Sequence, residues 1–193
     1  MIITVPTIVL ENTLVGIKSL KKIVSLSQEV QTLEGSIAEV GVYNGGSGLL
    51  LLQLNPEKDI YLFDTFQGLP EVTPFDNYHQ QSDFDDVSEK KVRWLFQKYS
   101  NCHILKGKFP QETGQAIDNL NFKLVHLDVD TYTSYRDSLN FFYSRIIPGG
   151  VIIMDDYASK YCLGAKKAID DFMNDKEESL VLGPERQAHF FKK

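Results

Sequence analysis

Downstream of Gly35 the chain alternates short apolar runs that lack a helical period with longer stretches of helical spacing. The runs are Ser36-Ile-Ala-Glu-Val40, Asp59-Ile-Tyr-Leu-Phe63, Cys102–Leu105, Leu124–Val129 and Val151–Met154. Each reads as a strand buried on both faces, the pattern of a parallel sheet. Helices are predicted between them: from Gly45 through Leu54, then Val87–Tyr99, Thr113–Leu120, Thr133–Ile147 and Gly164–Asn174. Leu180–Leu182 and Gln187–Phe191 predict a final antiparallel pair turned through Gly183-Pro184. Ahead of the first strand, Leu14, Ile17, Leu20, Ile23, Val24 and Leu26 follow helical spacing, so 12–33 predicts one or two helices. Alternating β and α indicates a Rossmann-like, doubly wound α/β domain. We expect a seven-stranded, mostly parallel sheet closed by a C-terminal antiparallel hairpin. With no repeat, low-complexity tract or linker, residues 1–193 read as a single domain led by a helical segment over 1–34.

One stretch breaks the rhythm. Residues 65–85 carry Pro70, Pro74 and Gly68 among acids and the aromatics Phe66, Phe75, Tyr78 and Phe84. A connection this long inside a compact domain is usually functional or disordered, and the aromatics argue for an ordered lid over a site. His79, within it, is a better functional candidate than His103 or His189.

Two strands end in acid. Lys123-Leu-Val-His-Leu-Asp-Val-Asp leads to Asp128 and Asp130, and Gly149-Gly-Val-Ile-Ile-Met leads to Asp155-Asp156. Ligands of open α/β sheets bind beyond the carboxyl ends of the strands. One helix separates the two runs, as neighbouring parallel strands require, so Asp128, Asp155 and Asp156 are expected to converge. Crowded carboxylates repel unless a cation or proton sits among them, and an all-oxygen set suits Mg²⁺. Such an ion would acidify and fix a substrate hydroxyl. Asp130, before Thr131-Tyr-Thr-Ser, reads instead as a cap of the following helix. His126 shares strand parity with Asp128 and reads first as a satisfied core histidine.

The loop Glu39-Val-Gly-Val-Tyr-Asn-Gly-Gly-Ser-Gly48 joins the first strand to its helix. Glycines there let backbone approach a ligand, and the helix N-terminus behind is electropositive. Asp64 ends the adjacent strand, where an acid can accept hydrogen bonds from ribose hydroxyls, so an adenosine-containing cofactor is expected. Tyr43 stands where a dinucleotide fingerprint needs glycine, and no GxxxxGK[ST] loop is present. Glu39 at the loop would repel pyrophosphate but can pair with a cation, which favours S-adenosylmethionine.

Composition adds exclusions. At 193 residues with 42% hydrophobic and 24% charged content the chain is an ordinary globular one. Its net charge of −6, evenly mixed, argues against nucleic acid or an anionic membrane as partner. The apolar Ile2–Leu10 run has no basic residues ahead of it and makes a poor signal peptide. No stretch is long enough to span a membrane, and a cytoplasmic protein is expected. Cys102 and Cys162 lie in no metal or redox spacing, so both are expected to be reduced thiols that do not join the metal.

With these residues assembled, the chain resembles the class I S-adenosylmethionine-dependent methyltransferases. More narrowly it resembles the macrocin O-methyltransferase (TylF-type) family, Mg²⁺-dependent enzymes that methylate sugar hydroxyls in natural-product biosynthesis. The matching segments are 39–47, Phe-Asp-Thr-Phe-Gln-Gly-Leu-Pro at 63–70, Lys-Gly-Lys-Phe-Pro at 106–110, Leu-Asp-Val-Asp-Thr-Tyr-Thr-Ser at 127–134, and Pro-Gly-Gly-Val-Ile-Ile-Met-Asp-Asp-Tyr at 148–157. The resemblance implies a cofactor site lined by Glu39, Gly41, Tyr43, Gly45, Ser47, Asp64, Thr65 and Phe66, with Lys108 and Phe109 near the adenine. It implies Asp128, Asp155 and Asp156 as metal ligands, with Asp128 as general base. It also implies a small-molecule hydroxyl acceptor, a sugar or other vicinal diol, and a second copy of the chain as candidate partner. Catechol-type methyltransferases share the loop and the acids but usually carry a lysine where this chain has Thr131. The chain is short at its N-terminus beside the macrolide-sugar enzymes, whose extra segments help build the acceptor pocket and dimer, so the acceptor stays open. A nicotinamide-dependent oxidoreductase and a non-catalytic adenosyl-cofactor binding module are the other readings, disfavoured by Tyr43 with Glu39 and by the intact acids.

Overall fold

The computed structural model describes residues 4–193. The start of the apolar Ile2–Leu10 run therefore lies outside the described residues. A single turn of helix, α1 (Thr7–Leu10), precedes α2 (Ile17–Glu29), and both pack on α3 (Gly46–Leu54). The sheet is built from β1 (Ser36–Val40), β2 (Ile60–Asp64), β3 (Cys102–Lys106), β4 (Phe122–Leu127), β5 (Ile146–Met154), β6 (Val181–Leu182) and β7 (Ala188–Phe191). Their spatial order is β3-β2-β1-β4-β5-β7-β6. β1 to β5 run parallel, while β7 is antiparallel to both β5 and β6. This is the doubly wound sheet with a terminal hairpin that the alternation predicts. The strand order reverses between β1 and β4, the crevice where such sheets bind ligands.

Apolar residues on both faces hold the layers. One face packs Leu20, Ile23, Leu49, Leu51 and Phe96 against Ile37, Leu62 and Leu124. The other packs Tyr135, Leu139, Phe142 and Ile169 against Val125, Leu127, Ile152 and Phe190. These belong to α4 (Glu89–Phe96), α5 (Tyr132–Tyr143) and α6 (Leu163–Met173) as well as the helices above.

Several element ends differ from expectation. Thr113–Leu120 is not an α-helix but one 3₁₀ turn, Gly114–Ile117. Gly114 sits so close to Pro110 and Phe141 that a Cβ there would lie 2.9 Å from each, and packing fixes the tight turn. The helix predicted over Thr133–Ile147 ends at Tyr143, because Ile146 already pairs with Phe122. Pro148-Gly149-Gly150 thus falls inside β5, at an irregularity in its register with β4, where a proline costs no ladder bond. β4 runs Phe122–Leu127, leaving Asp128 and Val129 beyond the sheet. α4 starts at Glu89 rather than Val87, with the Ser88 hydroxyl accepting from Lys91 N–H.

The segment between β2 and α4 contains no helix or strand yet is closely tied. Leu69 N–H donates to Asp83 O at 2.9 Å and Ser82 N–H donates back to Leu69 O at 3.0 Å. Buried Asp76 accepts from Thr73 N–H and from Tyr132 N–H, at 2.7 and 2.9 Å, so this segment itself caps α5.

Candidate active site

A cavity of about 740 Å³ opens at the carboxyl ends of β1, β2 and β4. Its lining includes Gly41, Tyr43, Ser47, Asp64 and Thr65, then Phe63, Gly107 and Phe109, and, from the segment between β2 and α4, Leu69, His79 and Phe84. The turn between β1 and α3 is organised by Asp64. Its Oδ2 accepts from Val42 N–H at 2.7 Å and Tyr43 N–H at 2.9 Å, while Oδ1 accepts from Phe66 N–H at 2.7 Å. Those bonds hold Tyr43 and Phe66 at positive φ, 49° and 52°. A carboxylate offers about four acceptor positions, so one on Oδ1 remains for a ribose hydroxyl. The apolar wall of Phe63 and Phe109 suits a purine, and Phe109 is itself stacked on Phe142 at 5.1 Å. An adenosyl cofactor fits this lining.

The remaining residues of the expected cofactor set stand apart from the cavity lining. Gly45 caps α3 at φ 90° against Phe96. Phe66 packs into the core. Lys108 pairs with Glu71 at 2.6 Å. Glu39 is fully buried beneath the loop, its Oε1 2.9 Å from His126 Nδ1.

The three expected metal acids do converge. β4 and β5 are in register at Leu127 and Met154, so Asp128 and Asp155 emerge side by side. Asp128, Asp155 and Asp156 each bring one oxygen within 4.8 Å of the others. That all-oxygen set fits a hard divalent cation. Its surroundings are built by residues far away in sequence. Gln187 Nε2 donates to Asp155 Oδ1 at 2.7 Å, and Arg186 Nε lies 3.4 Å from Asp155 Oδ2 and 4.0 Å from Asp156 Oδ1. Buried Tyr135 donates to Asp156 Oδ2 at 2.9 Å. None of these three was singled out from sequence, because each arrives from another element.

Protonation follows from crowding. Burial, then the charges of Asp155, Asp156 and Asp130, push Asp128 well above the usual carboxyl range. Burial and Asp155 likewise raise Asp156. Burial also works to raise Asp155, but His126, Gln187 and Arg186 outweigh it and hold that carboxyl low. His126 is the reverse case: burial opposes its charge, but Asp155 and Glu39 raise it to about 10.

Two expectations fail here. Asp130 does not cap α5, a role taken by Asp76; it sits at φ 58° and donates its N–H to Asp156 Oδ2 at 3.1 Å. Cys162 does not stand apart from the acids, since its Sγ lies 3.4 Å from Asp130 Oδ1 and 3.8 Å from Asp156 Oδ1. The turn before α6 delivers it, a tertiary approach that spacing does not encode. His79 does line the cavity, whereas His103 pairs with Asp59 at 2.9 Å on the outer strand and His189 packs against Phe191.

Residues 5–182 match the family model described as macrocin-O-methyltransferase (TylF). The chain belongs to that family. It is 31% identical over 181 residues to the demethyldecarbamoylnovobiocin O-methyltransferase of Streptomyces niveus, covering 83% of this chain and 67% of the relative. It is 27% identical over 179 residues to the 8-demethyl-8-(2,3-dimethoxy-alpha-L-rhamnosyl)-tetracenomycin-C 4'-O-methyltransferase of Streptomyces olivaceus, with the same coverages. Among solved structures the O-methyltransferase NovP superposes with a TM-score of 0.83 at 26% identity, covering 94% of this chain and 82% of that one. This TylF-family chain is an S-adenosylmethionine-dependent O-methyltransferase with the class I methyltransferase fold. No helix among the described residues is long and apolar enough to cross a membrane.

Proposed function

We propose that this chain transfers the methyl group of S-adenosylmethionine to a hydroxyl of a vicinal diol on a sugar or glycosylated natural product, with Mg²⁺ held by Asp128, Asp155 and Asp156. The observation carrying the reading is the convergence of those three acids, of which Asp128 lines the cavity. The relatives' names support the acceptor class, one of them specifying a rhamnosyl-bearing substrate. Bound Mg²⁺ would supply Lewis-acid stabilisation of the developing alkoxide. S-adenosylmethionine would supply a methyl already activated on a sulfonium.

The chain's own residues do the rest. Asp64 and the loop at 41–47 orient the adenosyl group through backbone and carboxylate contacts. Asp128 borders the cavity and belongs to the acid cluster, a position that suits it to take the hydroxyl proton as the C–O bond forms and the C–S bond breaks. The lid keeps bulk water from the sulfonium. Thr131 is buried, its hydroxyl directed to Ser134 at 2.9 Å, so the position used by a lysine in catechol enzymes offers no cation.

The test is S-adenosylhomocysteine release with glycosides bearing vicinal diols, with Mg²⁺ or with chelator. Mg²⁺-dependent turnover that Asp128→Asn abolishes, at unchanged S-adenosylhomocysteine affinity, is expected. Full activity in chelator, or equal loss of turnover and affinity in the variant, would overturn the reading.

A further inference from the structure

A second group of metal-type donors borders the same cavity. His79 Nε2, Cys162 Sγ and Asp130 Oδ1 come together from the lid, the turn before α6 and the tip of β4. The Nε2–Sγ separation is 3.5 Å, Sγ–Oδ1 is 3.4 Å and Nε2–Oδ1 is 4.0 Å. Zinc in tetrahedral coordination, with bonds of about 2.0–2.3 Å, spaces its donors roughly 3.3–3.8 Å apart. Two edges already match, and the third closes by a small turn of the His79 ring.

Two further features point to an ion rather than to a hydrogen-bonded cluster. Asp83 Oδ2 lies 3.4 Å from His79 Nδ1, the carboxylate-to-imidazole contact that fixes a metal-bound histidine in the tautomer with its Nε2 lone pair free. Once Asp130 and Asp156 are ionised, the remaining atoms are all acceptors with one thiol hydrogen among them. Nε2, Asp130 Oδ1 and Asp156 Oδ1 all lie within 3.8 Å of Sγ, and a single S–H can satisfy only one. A cation among them, displacing the thiol proton to solvent, would satisfy the set.

We infer that His79, Asp130 and Cys162 form a second metal site, separate from the aspartate triad, which takes a borderline divalent cation of the zinc class. Nitrogen and sulfur donors select such an ion where the oxygen-only triad selects Mg²⁺. Three protein ligands leave a fourth position for water or a substrate oxygen from the cavity. Because His79 belongs to the lid and the other two to the sheet end and α6, an ion there clasps the lid shut. The inference stands on this geometry and not on methyl transfer.

Cobalt(II) reports the site directly. Titrated into the full chain in excess Mg²⁺, it should give a thiolate-to-cobalt charge-transfer band saturating at one equivalent. The band should vanish in Cys162→Ser and persist in Cys102→Ser and in Asp128→Asn. Asp83→Asn should weaken cobalt binding about tenfold or more, and His79→Gln more strongly still. His79→Gln, a change in the lid, carries the test if Cys162→Ser does not fold. No band in the wild-type chain would overturn the inference, as would a band that survives Cys162→Ser, is unaffected by His79→Gln, or is lost in Asp128→Asn.

Discussion

Glu39 and His126 face each other across the β1–β4 pairing, Glu39 Oε1 lying 2.9 Å from His126 Nδ1 with both side chains out of water. Glu39 Oε2 and His126 Nε2 have no hydrogen-bond partner among the described residues. His126 Nε2 points towards Asp155 at 3.8 Å, so this pair ties the glycine loop to the acid cluster through one ring. Glu39→Gln removes the charge but not the shape. It should cost about 1.5–3 kcal/mol, the range for a hydrogen bond to a charged group, measured by urea denaturation in chelator. His126 is raised from 6.5 to about 10, so its contribution is full below 6.5 and fades as pH rises through about 10. The gap between wild type and variant should therefore be widest near pH 6 and narrow above 10. The folded variant should keep its S-adenosylhomocysteine affinity, because Glu39 lies beneath the cavity. A gap independent of pH would refute the charged pair.

Gly41 connects the loop to Asp128 by contact rather than charge. It sits at φ 86°, and a Cβ there would fall 1.8 Å from the Asp128 carbonyl oxygen. Gly41→Ala combines left-handed strain with overlap against backbone that cannot rotate away, for a total of about 3 kcal/mol. Displacing Asp128 should also raise the Mg²⁺ concentration needed for half-maximal activity. Gly149→Ala is the control. At φ 81° it carries the same strain, but its nearest neighbour is Leu33 Cδ1 at 3.5 Å, so about 1–2 kcal/mol is expected with no change in Mg²⁺ dependence.

Local signals in the sequence reached as far as strand tips and no further. Apolar runs ending in Asp64, Asp128 and Asp155-Asp156 gave away the sheet, its polarity and the convergence of acids, since parallel strands joined by one helix must end together. The length and aromatics of 65–85 marked a segment that is tied down by its own hydrogen bonds and borders the cavity. What sequence could not supply is the second layer around those acids. Asp76 caps α5 from the segment between β2 and α4, Arg186 and Gln187 come from the turn before β7, and Cys162 comes from the turn before α6. Each contact joins residues with no fixed spacing. The 3₁₀ turn at Gly114–Ile117 failed for the same reason, since Pro110 and Phe141 decide its conformation.

Tyr135 is one of those unread partners. Its hydroxyl lies 2.9 Å from both Leu127 O and Asp156 Oδ2, and it accepts from Asp156 N–H at 3.3 Å. Tyr135→Phe leaves buried polar groups unpaired at a cost of about 1–3 kcal/mol, read as a lower urea midpoint. Asp156 also loses the contact that orients it, so Mg²⁺ affinity should fall together with stability. Loss of stability with Mg²⁺ dependence intact would make Tyr135 a packing residue only.

The acid cluster makes a signed prediction about pH. Unfolded, Asp128, Asp156 and Asp130 ionise near 3.8; folded, burial and mutual repulsion raise all three, Asp130 to about 8. Above 3.8 the folded chain therefore holds protons that the unfolded chain has lost. Stability must fall as pH rises through the raised values. His126 adds a decline in the same direction up to about 10, while Asp155, held low, contributes a change only below 3.8. Arg186, kept charged by the four acids despite partial burial, offsets part of the repulsion. A divalent ion on the triad takes the place of protons on Asp128 and Asp156, so the decline should flatten when it binds. Thermal melts in chelator should then show a lower Tm at pH 8 than at pH 6, and saturating Mg²⁺ should raise Tm more at pH 8. Arg186→Met should steepen the chelator profile and enlarge the Mg²⁺ shift, since it removes a competing cation. An equal Mg²⁺ shift at both pH values would mean that the three acids are already ionised or that the ion binds elsewhere.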